Sequence, residues 1–174
     1  MNVVIIDYGL GNLASLSSAV KEAHKCNPVI SHAAKDILAA DKIILPGVGA
    51  FDKAMSNLHN LDLIKIIGSA VNNIPILGIC LGMQILCSSS TEGSLTKGLS
   101  IVEGEFDRFS SAKFTVPHIG FNQVNVSQPS ILFNNIPSNP DFYFVHSYRL
   151  HSAKNILCHT SNYVDNFVSA FESK

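Results

Sequence analysis

The stretch "PILGICLGMQIL", residues 75–86, decides how this sequence folds. A short apolar run passes directly into a pattern of helical spacing, and Cys80 stands at the junction, between Gly78 and Gly82. A cysteine flanked by glycines at such a point is typical of a nucleophile elbow, a sharp strand-to-helix turn that exposes a reactive side chain. The pattern therefore predicts an α/β fold with Cys80 at the carboxyl edge of a parallel sheet.

Strand-like and helix-like segments alternate along the first half of the chain. Short runs rich in Val and Ile are separated by longer segments of helical spacing, which favours a parallel sheet flanked by helices. The predicted strands are 2–7, 28–31, 42–47 and 76–79, and the predicted helices are 12–24, 51–73 with a break near Asn60, and one from Leu81 onward. The predicted order is thus β-α-β-β-α-β-α.

The second half of the chain has a different character. Shorter apolar runs at 114–126 and 142–150 are separated by Ser, Asn and Pro clusters, which predicts additional antiparallel strands and loops appended to the sheet. The chain has 174 residues, of which 47% are hydrophobic, enough to bury one sizeable core. We expect a single domain over residues 1–174.

Composition excludes several classes of function. The formal net charge is −1 and the sequence has no run of Lys or Arg, so neither nucleic acid nor an anionic membrane is an expected partner. No stretch approaches the roughly 18 apolar residues of a membrane span, and the first residues do not resemble a signal peptide. We expect a cytoplasmic protein.

The cysteines indicate one special thiol rather than a metal or disulfide framework. Cys26, Cys80, Cys87 and Cys158 show no C-x-x-C spacing, so reduced thiols are expected. The sequence also lacks a phosphate-binding loop and a dinucleotide fingerprint, and we expect no cofactor and no metal. Most intracellular cysteines are small buried hydrophobes, and only Cys80 has a position that argues for more.

Three loops follow predicted strands: "DYGLGN" (7–12), "PGVG" (46–49) and "GICLG" (78–82). Ligands of an open parallel sheet bind at the carboxyl ends of its strands, so these three loops are candidate parts of a ligand site. The N-terminus of the following helix favours the thiolate of Cys80. The backbone N–H of Leu81 could then point at an oxyanion formed on an attacked carbonyl.

The loop 46–49 could supply a second N–H to that oxyanion, from Val48 or Gly49, because glycines allow the backbone to approach a ligand closely. An ordinary β-to-α turn is an equally good interpretation of this loop by itself.

Six segments, in order, resemble the glutamine amidotransferase subunits of imidazole glycerol phosphate synthase, which are class I, triad-type glutaminases of histidine biosynthesis. They are "VIIDYGLGNLASL", "ADKIILPGVGAFDKAM", "PILGICLGMQIL", "GLSIVEG", "VPHIGFN" and "YFVHSYR", and they run from Asn2 to about Arg149. The combination is specific, although each segment alone is not.

The resemblance implies a flavodoxin-like class I glutamine amidotransferase domain that hydrolyses glutamine. Cys80 would attack the side-chain amide, release ammonia and leave a glutamyl thioester that water cleaves. The oxyanion strand of the family corresponds to 46–49. The glutamine-contacting positions correspond to Gly47, Gln84, Glu92, His146, Ser147 and Tyr148.

The resemblance also implies a partner, a (β/α)₈-barrel cyclase that forms a heterodimer with the glutaminase. Asn12 and Tyr143 match positions that face this subunit. The cyclase takes the ammonia through its interior to a ribonucleotide intermediate and makes imidazole glycerol phosphate. The family places a partner-dependent switch in the oxyanion strand, where Gly47 and Gly49 would permit a peptide flip.

The sequence departs from the family pattern in its catalytic acid-base residues. The family carries the triad His and Glu in a "QFHPE" segment near the C-terminus, whereas this sequence contains no H-x-E. We expect a C-terminally truncated domain with crippled turnover, because general acid-base assistance is typically worth roughly 10²–10⁴-fold.

None of the seven histidines is assigned the role of base. His118 and His146 match family positions with other roles, and His24, His32 and His59 are expected at surface or capping positions. For His151 and His159, no carboxylate stands at a suggestive spacing.

Three alternatives remain open. Phe121 stands where the family most often has Trp, and similar glutaminases serve sugar amidotransferases of surface polysaccharides. The absent triad residues also fit a non-catalytic subunit that only binds the cyclase. A third alternative is another cysteine hydrolase on a flavodoxin-like sheet, against which "PGVGAF" and "VHSY" weigh.

Overall fold

The apolar runs of the first half form a parallel sheet. The structure is a computed structural model that describes residues 1–173. The strands are β1 (Val3–Ile6), β2 (Val29–Ser31), β3 (Lys42–Leu45) and β4 (Ile76–Gly78). Their order is β2-β1-β3-β4 and all are parallel. This order is that of the first four strands in flavodoxin-like sheets, as predicted.

Burial explains why these strands are recognisable in the sequence. The central strand β1 is fully covered along its length, and Ile43 to Leu45 of β3 are also buried. Strands covered on both faces consist of continuous apolar residues instead of an alternating pattern. Val29 and Ile30 of β2, at the edge, are about two-fifths exposed.

Five helices accompany this sheet within residues 1–173. They are α1 (Leu13–His24), α2 (Ala34–Leu38), α3 (Phe51–Asn60), α4 (Leu63–Ala70) and α5 (Leu81–Ile85). The predicted break near Asn60 is confirmed, because Asp62 adopts a left-handed conformation (φ 55°) between α3 and α4. The predicted direct β-β succession was wrong, since α2 lies between β2 and β3.

The last predicted helix begins at Leu81 as expected, but it ends at Ile85, after five residues. Hydrogen bonds from the segment 98–101 end it: Leu99 N–H donates to Ile85 O at 2.8 Å and Ile101 N–H to Leu86 O at 2.9 Å. The carbonyls of Ile85 and Leu86 therefore accept from this segment instead of from a further helical turn. The chain continues as β5 (Cys87–Ser90).

The chain divides into two compact units, which are described separately. The first comprises 1–88 and 96–101, and the second comprises 89–95 and the residues from Val102 onward. The single domain expected over 1–174 stays a prediction. No helix within the described part of the chain has the length and apolar character needed to cross a membrane.

Antiparallel strands build the second unit, as predicted for the second half. After β6 (Thr96–Lys97) come β7 (Val102–Arg108), β8 (His118–Gln123), β9 (Asp141–His146), β10 (Tyr148–Leu150), β11 (Leu157–Asn162) and β12 (Asn166–Glu172). In this unit β11, β12, β10 and β7 are neighbours in that order, and β8 pairs with β9. An aromatic cluster around Phe109 and Phe167 fills its interior.

Candidate active site

Cys80 occupies a strained turn between β4 and α5. Its backbone has φ 53° and ψ −112°, a combination that residues with a side chain rarely adopt. The Cys80 carbonyl accepts hydrogen bonds from Met83 N–H (2.9 Å) and Gln84 N–H (3.1 Å), which start the helix. The residue as a whole is exposed. This is the geometry of a nucleophile elbow, in which the turn holds a reactive side chain above the sheet.

The glycines on either side of Cys80 are required by close backbone contacts. A Cβ atom on Gly82 would lie 1.8 Å from the carbonyl oxygen of Leu45, at the end of β3. On Gly78 it would lie 2.7 Å from the Met83 nitrogen. Any side chain at either position would push α5 away from the end of the sheet, so the sequence G-x-C-x-G follows from packing.

The three loops that follow the strands lie close together. A Cβ on Gly47 would come within 2.6 Å of the Leu81 Cβ, and one on Gly11 within 3.3 Å of the Pro46 Cβ. The loops 7–12, 46–49 and 78–82 therefore form one closely packed group beside Cys80.

The expected oxyanion donors lie in this group. Leu81 is the first residue of α5, so its N–H has no partner within the helix. Pro46 and Gly47 are buried, whereas Val48 and Gly49 are exposed, and Gly49 has φ +132°. In the segment 46–49, which corresponds to the oxyanion strand of the family, the first two residues are therefore buried and the last two are accessible to a ligand.

The expected glutamine-contacting residues fall into both units. Gly47 and the half-buried Gln84 lie in the same unit as Cys80. The second unit holds Glu92, His146, Ser147 and Tyr148, all half-buried.

The His146 ring is engaged inside the second unit. Its Nδ1 lies 2.8 Å from the carbonyl oxygen of Tyr148, which requires the proton on Nδ1. Nε2 then accepts a hydrogen bond from His118 Nδ1 at 3.1 Å. Because both ring nitrogens are used, the backbone rather than the ring of His146 is left for contacts with a ligand.

Both histidines of this pair are neutral at neutral pH. Burial, and secondarily the neighbouring His146, lowers the pKa of His118 to about 4. Burial also lowers the pKa of His146, although its hydrogen bond to Tyr148 opposes the shift. The His118 ring stacks between Phe144 and Tyr163, with ring centroids 5.1 and 4.0 Å away. This pair is a packed structural element.

Although no carboxylate stands at a suggestive sequence spacing from His151 or His159, the fold brings one close to each. Glu172 Oε1 lies 3.1 Å from His159 Nε2, and Asp165 Oδ2 lies 3.9 Å from His151 Nε2. The hairpin of β11 and β12 brings Glu172 beside His159 although 13 residues separate them. His159 is fully buried, and its Nδ1 accepts a hydrogen bond from Ser127 N–H. The His159–Glu172 pair therefore has a structural role, in which His159 connects the loop at Ser127 to the β11–β12 hairpin.

The two expected interface residues have different local roles. Asn12 is exposed and caps α1, its side-chain oxygen accepting from Ser15 N–H at 3.2 Å. Tyr143 is 58% exposed and pairs across β8 and β9 with Phe121, which is 76% exposed. Ile119 and Val145 continue the same exposed face. We call these four residues the β8–β9 face.

Sequence patterns missed Tyr8. It lies two residues after the end of β1 and is fully buried, and its phenol donates to the Pro46 carbonyl at 2.5 Å. The only signal was its place inside "DYGLGN", one of the loops already expected at the site. Among residues 1–173, no group of three or more His, Cys, Asp or Glu side chains is arranged to hold a metal ion.

Comparisons with known proteins agree with this geometry. The family described as "Glutamine amidotransferase class-I" matches residues 4–173. Imidazole glycerol phosphate synthase subunit HisH of Methanosarcina barkeri is 45% identical over 175 residues, covering 99% of this chain and 85% of that protein. The HisH of Methanosarcina mazei is 49% identical over 152 residues, covering 87% and 74%.

The fold agrees as well. A crystal structure described as a glutamine amidotransferase superposes with a TM-score of 0.76, covering 99% of this chain and 85% of the other. The sequence identity of this pair is 12%, so the match concerns the fold alone.

Proposed function

Because the chain belongs to the class I glutamine amidotransferases, and within them to the HisH family, we propose that it hydrolyses glutamine at Cys80 and passes the ammonia to a cyclase subunit. The observation that carries the proposal is the elbow: Cys80 has φ 53° at a strand-to-helix turn and is exposed. A strained backbone persists where the surrounding structure holds it and where function uses it.

The chain contributes binding, attack and charge stabilisation. The thiolate of Cys80 attacks the amide carbon of glutamine and the S–C bond forms. The N–H groups of Leu81 and of Val48 or Gly49 stabilise the oxyanion. The C–N bond then breaks, and nitrogen takes up a proton from water and leaves as ammonia. Water cleaves the thioester to glutamate, which restores the Cys80 thiol.

The proposed substrate contacts are those that the family resemblance implies. Gln84 lies in α5, four residues after Cys80, and its N–H donates to the Cys80 carbonyl oxygen. Glu92, His146, Ser147 and Tyr148 complete the proposed set. For His146 the proposed contact is through the backbone, because both ring nitrogens already have hydrogen-bond partners.

The β8–β9 face supports a protein partner. It places Phe121 and Tyr143, with ring centroids 5.2 Å apart, beside Ile119 and Val145, and all four are more than half exposed. Exposed aromatic residues in a contiguous apolar patch are typical of protein interfaces. We propose that a (β/α)₈-barrel cyclase, which makes imidazole glycerol phosphate, docks here and near Asn12. A cytoplasmic location for this pair stays a prediction.

The test compares two nitrogen sources. The chain is mixed with the cyclase of its own organism, and imidazole glycerol phosphate is measured with glutamine or with an ammonium salt. We expect product from both sources, formed slowly from glutamine because the sequence has no H-x-E pair to supply the triad base, with Cys80→Ala abolishing only the glutamine-dependent formation. Formation from ammonium alone, with the complex intact, would indicate the non-catalytic alternative. Absence of a complex would favour the sugar-amidotransferase alternative.

A further inference from the structure

Tyr8 lies beneath the oxyanion strand, and its side chain is 0% exposed. The phenol donates a 2.5 Å hydrogen bond to the carbonyl oxygen of Pro46. A Cβ on Gly47 would lie 2.8 Å from the same phenol oxygen. Tyr8 therefore contacts the first two residues of the oxyanion strand, which are its buried half.

The hydrogen bond fixes one end of that strand. A carbonyl that is held by a buried donor fixes the plane of its own peptide, here the one between Pro46 and Gly47. Breaking such a bond would leave a buried carbonyl without a partner, which is costly. Any rotation that turns an N–H toward the site is then confined to the exposed peptides on either side of Val48.

The loop that carries Tyr8 is itself anchored. Asn57 of α3 donates from Nδ2 to the Tyr8 carbonyl oxygen at 2.9 Å. Gly11, in the same loop, packs against Pro46. The loop ends at Asn12, one of the residues proposed to face the cyclase, so Tyr8 connects that loop to the oxyanion strand.

We propose that Tyr8 is a positioning residue for the oxyanion hole: its phenol holds the Pro46 carbonyl, so that the N–H groups of Val48 and Gly49 turn about a fixed anchor toward the carbonyl attacked by Cys80. This role rests on the proposed glutaminase chemistry. Burial, followed by the negative charge of Cys80, raises the pKa of Tyr8 above its ordinary value. The phenol therefore remains a donor throughout the working pH range.

The test is Tyr8→Phe, which retains the buried ring and removes the hydrogen bond. Cys80 is alkylated in parallel by the chloroketone analogue of glutamine and by iodoacetamide. The first reagent places a carbonyl at the oxyanion hole, whereas the second reports only thiolate reactivity. We expect the chloroketone-to-iodoacetamide rate ratio to fall about five- to tenfold, the loss of one hydrogen bond. In complex with the cyclase, kcat should fall while KM for glutamine is unchanged.

A matched control is Tyr163→Phe in the second unit, which also removes a phenol-to-carbonyl hydrogen bond, at 2.7 Å to Thr115 O. Its rate ratio should equal that of the wild type. Asn57→Ala, which releases the Tyr8 backbone, should lower the ratio about two- to threefold, and this variant decides the matter if Tyr8→Phe does not fold.

An unchanged or increased ratio in Tyr8→Phe, with normal chloroketone labelling of the wild type, would overturn the role of Tyr8 alone. If the wild type itself resists the chloroketone while iodoacetamide labels Cys80, the proposed function falls and takes the role of Tyr8 with it.

Discussion

At the scale of single residues, the site depends on backbone conformations that ordinary side chains avoid. Cys80 has φ 53° and Gly49 has φ +132°. Only Gly49 is a residue that adopts a positive φ without cost. The strain at Cys80 is therefore maintained by the packing of Gly78 and Gly82 against their neighbours. Substitutions at Cys80 and Gly49 test separately how these conformations affect stability and activity.

Cys80→Gly should be more stable than Cys80→Ala. Both variants lose the nucleophile, but only glycine relieves the strain at φ 53° and ψ −112°. We expect the free energy of unfolding to differ by about 1 kcal/mol, measured by urea denaturation of the two variants side by side. Equal stability, or a more stable alanine variant, would show that the elbow is not strained.

Gly49→Val should impair the oxyanion hole. A β-branched residue is incompatible with φ +132°, so the strand cannot present its N–H correctly. Partner-stimulated glutamine hydrolysis should fall by roughly 10²-fold or more, with cyclase binding retained. The control is Gly68→Ala in α4, where an added Cβ meets nothing within 4 Å. Undiminished hydrolysis in Gly49→Val would contradict the assigned role of the strand.

At the scale of elements, the β8–β9 hairpin has a buried His118–His146 pair on one side and the exposed apolar face on the other. The paired rings are packed among Phe144, Tyr163 and Phe167. Burial lowers the pKa of both rings, and protonation of His146 would also occupy the nitrogen that accepts from His118, so the stability of the second unit is linked to pH.

We expect the second unit to lose stability as pH falls from about 6.5 toward 4. The unfolded chain binds a proton at His118 below about pH 6.5, whereas the folded hairpin does so only near its lowered pKa of about 4. Each pH unit within this window should reduce the free energy of unfolding by up to about 1.4 kcal/mol. Thermal denaturation across this range measures the slope.

His118→Phe preserves the ring stack and should flatten that slope, whereas His59→Gln, at an exposed position, should leave it unchanged. A slope in His118→Phe equal to that of the wild type would exclude His118 as its origin.

Elements also show where sequence patterns reach their limit. Parallel strands and the break before α4 were predictable because burial and periodicity act locally. The five-residue helix α2 is too short to show a helical period. The end of α5 depends on hydrogen bonds from 98–101, and the His159–Glu172 pair depends on hairpin pairing. Contacts between segments that are distant in the chain do not produce a recognisable pattern in the local sequence.

At the scale of the whole molecule, the same distinction applies to the site. The position of Cys80 and the choice of the three candidate loops followed from local sequence, because glycines at strand ends indicate close backbone approach. The burial of Tyr8 against Pro46 did not, since no pattern distinguishes a buried tyrosine in a loop from an exposed one. The partner came only from the resemblance to a family.

The double variant Phe121→Ala and Tyr143→Ala should weaken cyclase binding. Both rings stand on the β8–β9 face, and removing two central aromatic residues from an interface typically raises Kd roughly ten- to a hundredfold. Titration calorimetry with the cyclase measures the effect. Phe114→Ala, a 45% exposed aromatic residue off that face, is the control and should bind normally. An unchanged Kd in the double variant would place the partner elsewhere.

The most direct test of the central claim is peptide mapping after brief exposure to the chloroketone analogue of glutamine. If Cys80 is the nucleophile of a glutamine site, the label should appear on Cys80 alone, and excess glutamine should prevent it. Labelling spread over Cys26, Cys87 and Cys158, or labelling of Cys80 that glutamine does not reduce, would contradict the account.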